Sequence, residues 1–595
     1  MNSPDLTRRM LTAGLSAAAL APSAAFAAPR NRADAAFGKL ASGWLDRSLR
    51  LSPANATQIG DHRFDARIDD LSAAGRTKSL ALAQSTLAAL SAIDRTALSR
   101  ANQVDAALLA NELQSQIWRA ETRKDWAWNP LIYQGVAGGM IYSLMARDFA
   151  PVAQRLSSAT ARMAASPALF AQARAELTPA LVPPPHAETY AAQNKGLKTI
   201  VAEMIDPAKS ALDAKGREQL DAAAKIYLEA IDAHQKWIEE TLVPQAKGEY
   251  RAGAAAFDAM LKFTLQSSLS RADIRARADA AIARVRAEMY QIAKTVLAGR
   301  ADAPATPDAP TPDQQQAAIR AVIDIAASTR PQRDKLVETA TEATEIARRF
   351  VMEKDLITLP DGPVKIILMP EFQRGFSVAY CDSPGPLEKH LATFYAVSPI
   401  PDSWSDEQAT SFLREYNTRG IQDIAVHEAM PGHYVQLFHS NSYPSVLRGV
   451  LASGSFIEGW AVYAEQVMVE QGFMADDPLY RLTQLKVLLR TITNAIIDQA
   501  IHCDGMTRDQ MMKLLTETAF QEEREAALKW RRAQLSVTQL STYFVGYSEH
   551  IDARAAALAK QGAAFKLKAY HDGILAYGSP PMRYARALYM GEAIV

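Results

Sequence analysis

A helical period, repeated along most of the chain, constrains the fold more than any other feature of the sequence. Between residues 34 and 51 the side chains Phe37, Leu40, Trp44, Leu45 and Leu49 recur every three to four positions, the spacing that gathers apolar groups on one face of an α-helix. The same pattern returns over 71–93, 102–122, 151–177, 187–205, 211–242 and 270–298, the last opening on Ser270-Arg271-Ala272-Asp273, which reads as a helix start. Val182-Pro183-Pro184-Pro185-His186 and the Ala-, Pro- and Asp-rich segment 300–312 read as breaks. Long amphipathic helices bury their apolar stripes against one another, so the expected class is mainly α.

The pattern changes near residue 360. Val364-Lys365-Ile366-Ile367-Leu368-Met369 is short and β-branched between Pro363 and Pro370, and Phe376-Ser377-Val378-Ala379-Tyr380 reads as a second strand after a Gly-containing turn. A small β-hairpin is therefore expected. Helices resume near 405 and continue to about 560. The mature chain divides into a helical first half, about 28–355, and a second half, about 356–595, that carries the chemistry. A strand edge beside a metal is a place where a peptide backbone docks by strand addition.

The first residues read as an address. Thr7-Arg8-Arg9-Met10-Leu11, an apolar run and Ala25-Phe26-Ala27 follow the order of a twin-arginine export signal, 1–27, with a mature chain from Ala28. The run is shorter than the roughly 20 residues a membrane span needs, and no Cys follows it to accept a lipid. The expected location is the periplasm, without a stable membrane anchor. With 65 basic and 65 acidic residues the net charge is +0, which gives no support to nucleic acid as a partner. Cys381 and Cys503 are the only cysteines; a disulfide and two free thiols both stay open, as does the oligomeric state.

The chemistry concentrates in His427-Glu428-Ala429-Met430-Pro431-Gly432-His433. A His-Glu pair followed by a second His is close to the zinc-hydrolase pattern, in which imidazoles hold the metal and an unligated carboxylate takes a proton from water. The usual spacing is four; here the histidines are six apart, which on a regular helix sends the two side chains apart. Pro431 lacks an N–H and Gly432 tolerates unusual backbone angles, so a kink or bulge that returns His433 to the metal is expected. Glu458, 25 positions after His433, supplies a third ligand and completes a His₂Glu site for one zinc ion per chain. Glu465, seven positions further on, shares its helix face and suits the role of hydrogen-bond acceptor for a ligand histidine.

These blocks resemble the bacterial family called domain of unknown function 885. Its hallmark is similar to His427 through His433 followed by Glu458-Gly459-Trp460, with further likeness at Arg490, Asp498 and His502, at Tyr543-x-x-Gly546, and at His571 and Gly578-Ser579-Pro580. The family often has a second His where this chain has Tyr434, which is expected to be peripheral. The resemblance implies the helical, deep-clefted architecture of thimet oligopeptidase, angiotensin-converting enzyme and Taq carboxypeptidase: one large multi-helix unit with zinc at the floor of a channel.

The expected activity is that of an exported zinc-dependent metallopeptidase acting on short peptides. The alternatives are a metal-dependent amidohydrolase acting on a non-peptide or modified amino-acid amide, and an inactive binding protein on the same scaffold. Glu428 is the candidate general base and then acid. Tyr543 is the candidate oxyanion donor, with Tyr547 as its rival. Arg490 is a candidate partner for a substrate carboxylate, and Asp498 and His502, four apart on one helix face, are candidates for the cleft lining or for support of the ligands.

Overall fold

The structure, a computed structural model, describes residues 31–594 apart from 363, 371–373, 375–377 and 389. The export signal expected at 1–27 lies outside the described residues. Helix accounts for 71% of the structure, with one small sheet, so the mainly α expectation holds. No helix among the described residues is long and apolar enough to cross a membrane.

The periodic segments fold as helices with local reasons at their ends. The stretch expected over 34–51 forms Arg32–Leu51 and buries Phe37, Trp44 and Leu49. Ser270 accepts from the Asp273 N–H while Asp273 answers the Ser270 N–H, a reciprocal cap that starts the helix Arg271–Leu297. Thr311 and Gln314 do the same for Pro312–Ala326, where Pro312 occupies a first-turn position that needs no N–H. The break expected at 182–186 is shorter than that, because Pro184 already opens the helix Pro184–Gly196.

The helix Pro478–Cys503 runs through the middle of the second half and is buried nearly all round, polar residues included. Such a helix is packed on nearly every side. The largest core packs around it and draws residues from Phe257 to Ala585. The N-terminal helices hold smaller cores of their own and are tied to the rest by buried charge. Arg448, fully buried, pairs with Asp105 at 2.7 Å and donates to the Ala101 and Tyr577 carbonyls at 2.9 Å each. With each guanidinium nitrogen bonded, that ion pair fixes the register between the two halves.

The sheet corrects the expected hairpin. Its strands are β1 (Lys365–Leu368), β2 (Ala379–Asp382) and β3 (Phe394–Val397), in the order β1-β3-β2. β3 lies parallel to β1, with Ile366 opposite Tyr395, and antiparallel to β2, with Tyr380 opposite Ala396. The two strands legible in the sequence are therefore not neighbours; a third, arriving later, separates them. Of the second expected strand, Phe376 and Ser377 lie outside the described residues. β2 is an edge strand, held from the N-terminal half by Arg147, which pairs with Asp382 at 2.9 Å and donates to its carbonyl at 2.7 Å.

Candidate metal centre

The two histidines sit on separate helices. Thr418–Glu428 ends just after His427, and His433 opens His433–Asn441. The chain between them closes on itself: the Gly432 N–H donates to the Val426 carbonyl at 3.0 Å. A Cβ on Gly432 would stand 1.8 Å from the His427 carbonyl oxygen, so only glycine fits. The expected kink is thus a full break between helices. It brings the two imidazole rings to 4.8 Å between centroids, nearly perpendicular.

Glu458 arrives from the helix Gly454–Glu470. Its Oε2 lies 3.4 Å from His433 Nε2 and 3.8 Å from His427 Nε2. One ligand atom from each of the three residues falls within 4.8 Å of the others. Bonds of about 2.0–2.2 Å to a tetrahedral zinc would hold ligand atoms roughly 3.4 Å apart, so the donor set and its spacing fit that ion. Trp460 Nε1 donates to the Pro431 carbonyl at 2.9 Å, joining the helix of Glu458 to the turn that sets His433.

The supporting contacts have the pattern of a metal site. Glu465 is buried and meets His427 Nδ1 at 2.6 Å, which leaves Nε2 facing Glu458. Burial disfavours charge on His427, but Glu458 and Glu465 outweigh it and hold its pKa well above the usual imidazole value. Burial likewise pushes the Glu458 carboxyl up, yet the two histidines bring it well below the ordinary carboxylate range. A field that favours positive charge at this point favours a metal cation equally. Behind them, burial raises the Glu465 carboxyl, and burial together with Glu465 raises that of Asp423 well above its usual value.

The centre opens on a cavity of about 560 Å³, lined by Glu428, Tyr543, Arg490, Lys529 and Arg532 and by the β2 residues Tyr380 and Cys381. Glu428 is 8% exposed, and its Oε2 has no hydrogen-bond partner among the described residues. The Tyr543 hydroxyl accepts from Arg532 at 2.8 Å and from Gln539 at 3.3 Å. With its oxygen so engaged, its own proton is left to donate.

A model of the family described as bacterial protein of unknown function (DUF885) matches residues 53–588. The chain belongs to this family. This DUF885 member is 32% identical to a candidate lipoprotein of unknown function from Shewanella oneidensis, with a TM-score of 0.75 over 93% of this chain and 99% of that one. A candidate lipoprotein from Colwellia psychrerythraea is 17% identical, with the same TM-score and coverage, and shows the shared fold. A comparison with curated proteins gives no match.

The remaining expected site residues of this DUF885 chain divide sharply. Arg490 lines the cavity but already lies 3.3 Å from Glu525 and from the Tyr416 hydroxyl. Asp498 and His502 do not reach the cavity: earlier turns of their helix, at Arg490 and Asn494, line it, but residues 533–541 cover this end. Asp498 accepts from the Thr538 and Ser541 N–H groups and from the Ser541 hydroxyl, pinning the start of the helix Ser541–Gln561. His502 Nε2 meets the Ala533 and Ser536 carbonyls. Tyr547 also stays out of the cavity and packs in the main core. Tyr434 does not line the cavity; it is buried in the main core and its hydroxyl donates to the Gly362 carbonyl. His571 is a core residue between the Tyr463 hydroxyl and the Leu356 carbonyl. Cys381 and Cys503 are free thiols.

Three cavity residues give little sign of themselves in the sequence. Lys529 and Arg532 lie on the helix Glu523–Leu535 at a spacing that reads as an ordinary charged face. Gln539 follows in the connection to the next helix. The one usable signal is Asp423, four residues before His427 and therefore on the same helix face.

Proposed function

We propose that this protein is a zinc-dependent hydrolase of peptide or amide bonds that acts on short peptides. The observation that carries the reading is the pairing of a His427–His433–Glu458 donor set with an unpartnered Glu428 carboxylate oxygen in one cavity. The chemistry that zinc supplies in such a site is Lewis acidity, which brings the pKa of water toward neutrality.

The chain's own residues would do the rest. Glu428 takes the proton of the attacking water and returns it to the leaving amine. Tyr543, its oxygen held by Arg532 and Gln539, donates its proton in a hydrogen bond to the developing oxyanion. Glu465 fixes the tautomer of His427. The outer edge of β2, whose residues line the cavity, suits a substrate backbone added as a further strand. A cavity of about 560 Å³ takes a short peptide and excludes a folded protein.

The envelope is the proposed location. The twin-arginine pattern of the first residues and the description of two relatives as candidate lipoproteins support it.

The reading is tested by incubating the zinc-supplied mature chain with a mixed library of short peptides and following cleavage by mass spectrometry. Cleavage is expected from the wild type and a loss of at least 100-fold from Glu428→Gln. Full turnover by Glu428→Gln would remove the base from the scheme, and no cleavage by either protein would reject the peptidase reading.

A further inference from the structure

Three cations, Arg490, Lys529 and Arg532, line the cavity beside the metal centre, and few carboxylates answer them. Among the described residues the one carboxylate within 4.0 Å of any of them is Glu525. Glu525 is already committed: its Oε2 accepts from the Tyr416 hydroxyl at 2.8 Å, and its Oε1 lies 3.3 Å from Arg490. Arg532 bonds only to neutral groups, Tyr543 and Gln539.

Lys529 is the least satisfied of the three. Its side chain is 2% exposed, and its ammonium lies 3.6 Å from Glu525, outside hydrogen-bonding range. It makes no hydrogen bond among the described residues. A buried cation without acceptors is costly. Burial, with Arg490 and Arg532 close by, pushes its pKa well below the usual lysine value; an arriving anion would reverse that.

The same three cations also border a second, smaller pocket of about 110 Å³, whose walls include Trp404, Phe412, Val378 and Leu528. The main cavity and this apolar pocket therefore share one cationic rim. Only the last residue of a peptide offers a carboxylate and a side chain from a single Cα, which is what a cation beside an apolar pocket accommodates. Resting on the hydrolase reading, we propose that Lys529, with Arg532 and Arg490 beside it, binds the free C-terminal carboxylate of the substrate while the adjoining pocket takes an apolar, aromatic side chain of that residue. The enzyme then releases residues from the C-terminal end and does not cut within long chains.

The test is calorimetric binding to the zinc-supplied mature protein of N-acetyl-phenylalanine, its amide, and N-acetyl-aspartate amide, the last carrying its carboxylate on the side chain. The free acid is expected to bind at least 10-fold more tightly than either amide. Lys529→Met should shrink that preference to under 3-fold, and Lys529→Arg should restore part of it. Equal binding of acid and amide by the wild type, binding of none of the three, or an aspartyl amide as tight as the acid would each overturn the proposal without relying on a variant that folds. Peptide cleavage separates this proposal from the reading beneath it. Selective acid binding without cleavage leaves the carboxylate site standing and removes the hydrolase. Equal cleavage of free and amidated peptides removes the carboxylate site and leaves the hydrolase.

Discussion

Gly459 and Gly546 touch backbone to backbone where the helices Gly454–Glu470 and Ser541–Gln561 cross: a Cβ on Gly459 would lie 2.3 Å from the carbonyl carbon of Gly546. Glu458 precedes the first glycine and Tyr543 stands three before the second. The crossing therefore sets how far the third metal ligand stands from the candidate oxyanion donor.

Gly459→Ala separates two opposing effects. Helix propensity alone would favour alanine by about 1 kcal/mol. Backbone at 2.3 Å cannot move aside as a side chain can, so overpacking of about 1–3 kcal/mol or more should win. The melting temperature is expected to fall. An unchanged or higher value would mean that the helices do not approach this closely.

Trp460→Phe removes the hydrogen bond that holds the Pro431 carbonyl at 2.9 Å. A buried acceptor left unpaired costs about 1–3 kcal/mol, and the turn before His433 loses its tie to the Glu458 helix. Chelator competition should show zinc affinity reduced by about 10-fold or more, with stability reduced by the amount denaturant melts can resolve.

Glu465→Gln should act on the metal more than on the fold. The amide keeps the size of the side chain but weakens the contact at 2.6 Å that orients His427. Zinc affinity is expected to fall about 10–100-fold, measured by competition with a chromophoric chelator. An affinity equal to wild type would show that this carboxylate does not support the ligand.

The meeting of His427, His433 and Glu458 was legible because chemistry restricts which residue types can serve there and because Pro431-Gly432 announces a break in the helix. The break itself could not be drawn from spacing, since six residues place two histidines together only once the chain leaves the helix. Asp498 and His502 share a helix face, but that face opens on the cavity only as far as Asn494; beyond it, residues 533–541 cover both side chains, and tertiary packing of that kind cannot be read from spacing. Lys529 and Arg532 were illegible for the opposite reason: a basic pair on an amphipathic helix looks solvated until tertiary packing buries it. β3 was missed because four residues, Phe394–Val397, carry too little alternation to name a partner.

A pH effect is expected outside the cavity, at residues that do not line it. His62 lies between Asp65 at 2.9 Å and Glu388 at 2.8 Å, stacked on Phe149. Burial opposes its charge, but the two carboxylates bring its pKa up to about 9 from 6.5. A raised pKa in the folded chain means that this stabilisation is complete below about 6.5 and is lost as pH rises through about 9. The melting-temperature gap between wild type and His62→Gln should accordingly be largest near pH 6 and close toward pH 10. A gap independent of pH would show that the charge does no stabilising there.

The central claim is the metal site, and the most direct measurement is the zinc content of the purified mature chain by plasma mass spectrometry, beside His433→Ala. One zinc per wild-type chain, lost from the variant while its helical signal is retained, is the expected result. No zinc in the wild type after the metal has been supplied, or equal zinc in both proteins, would contradict it.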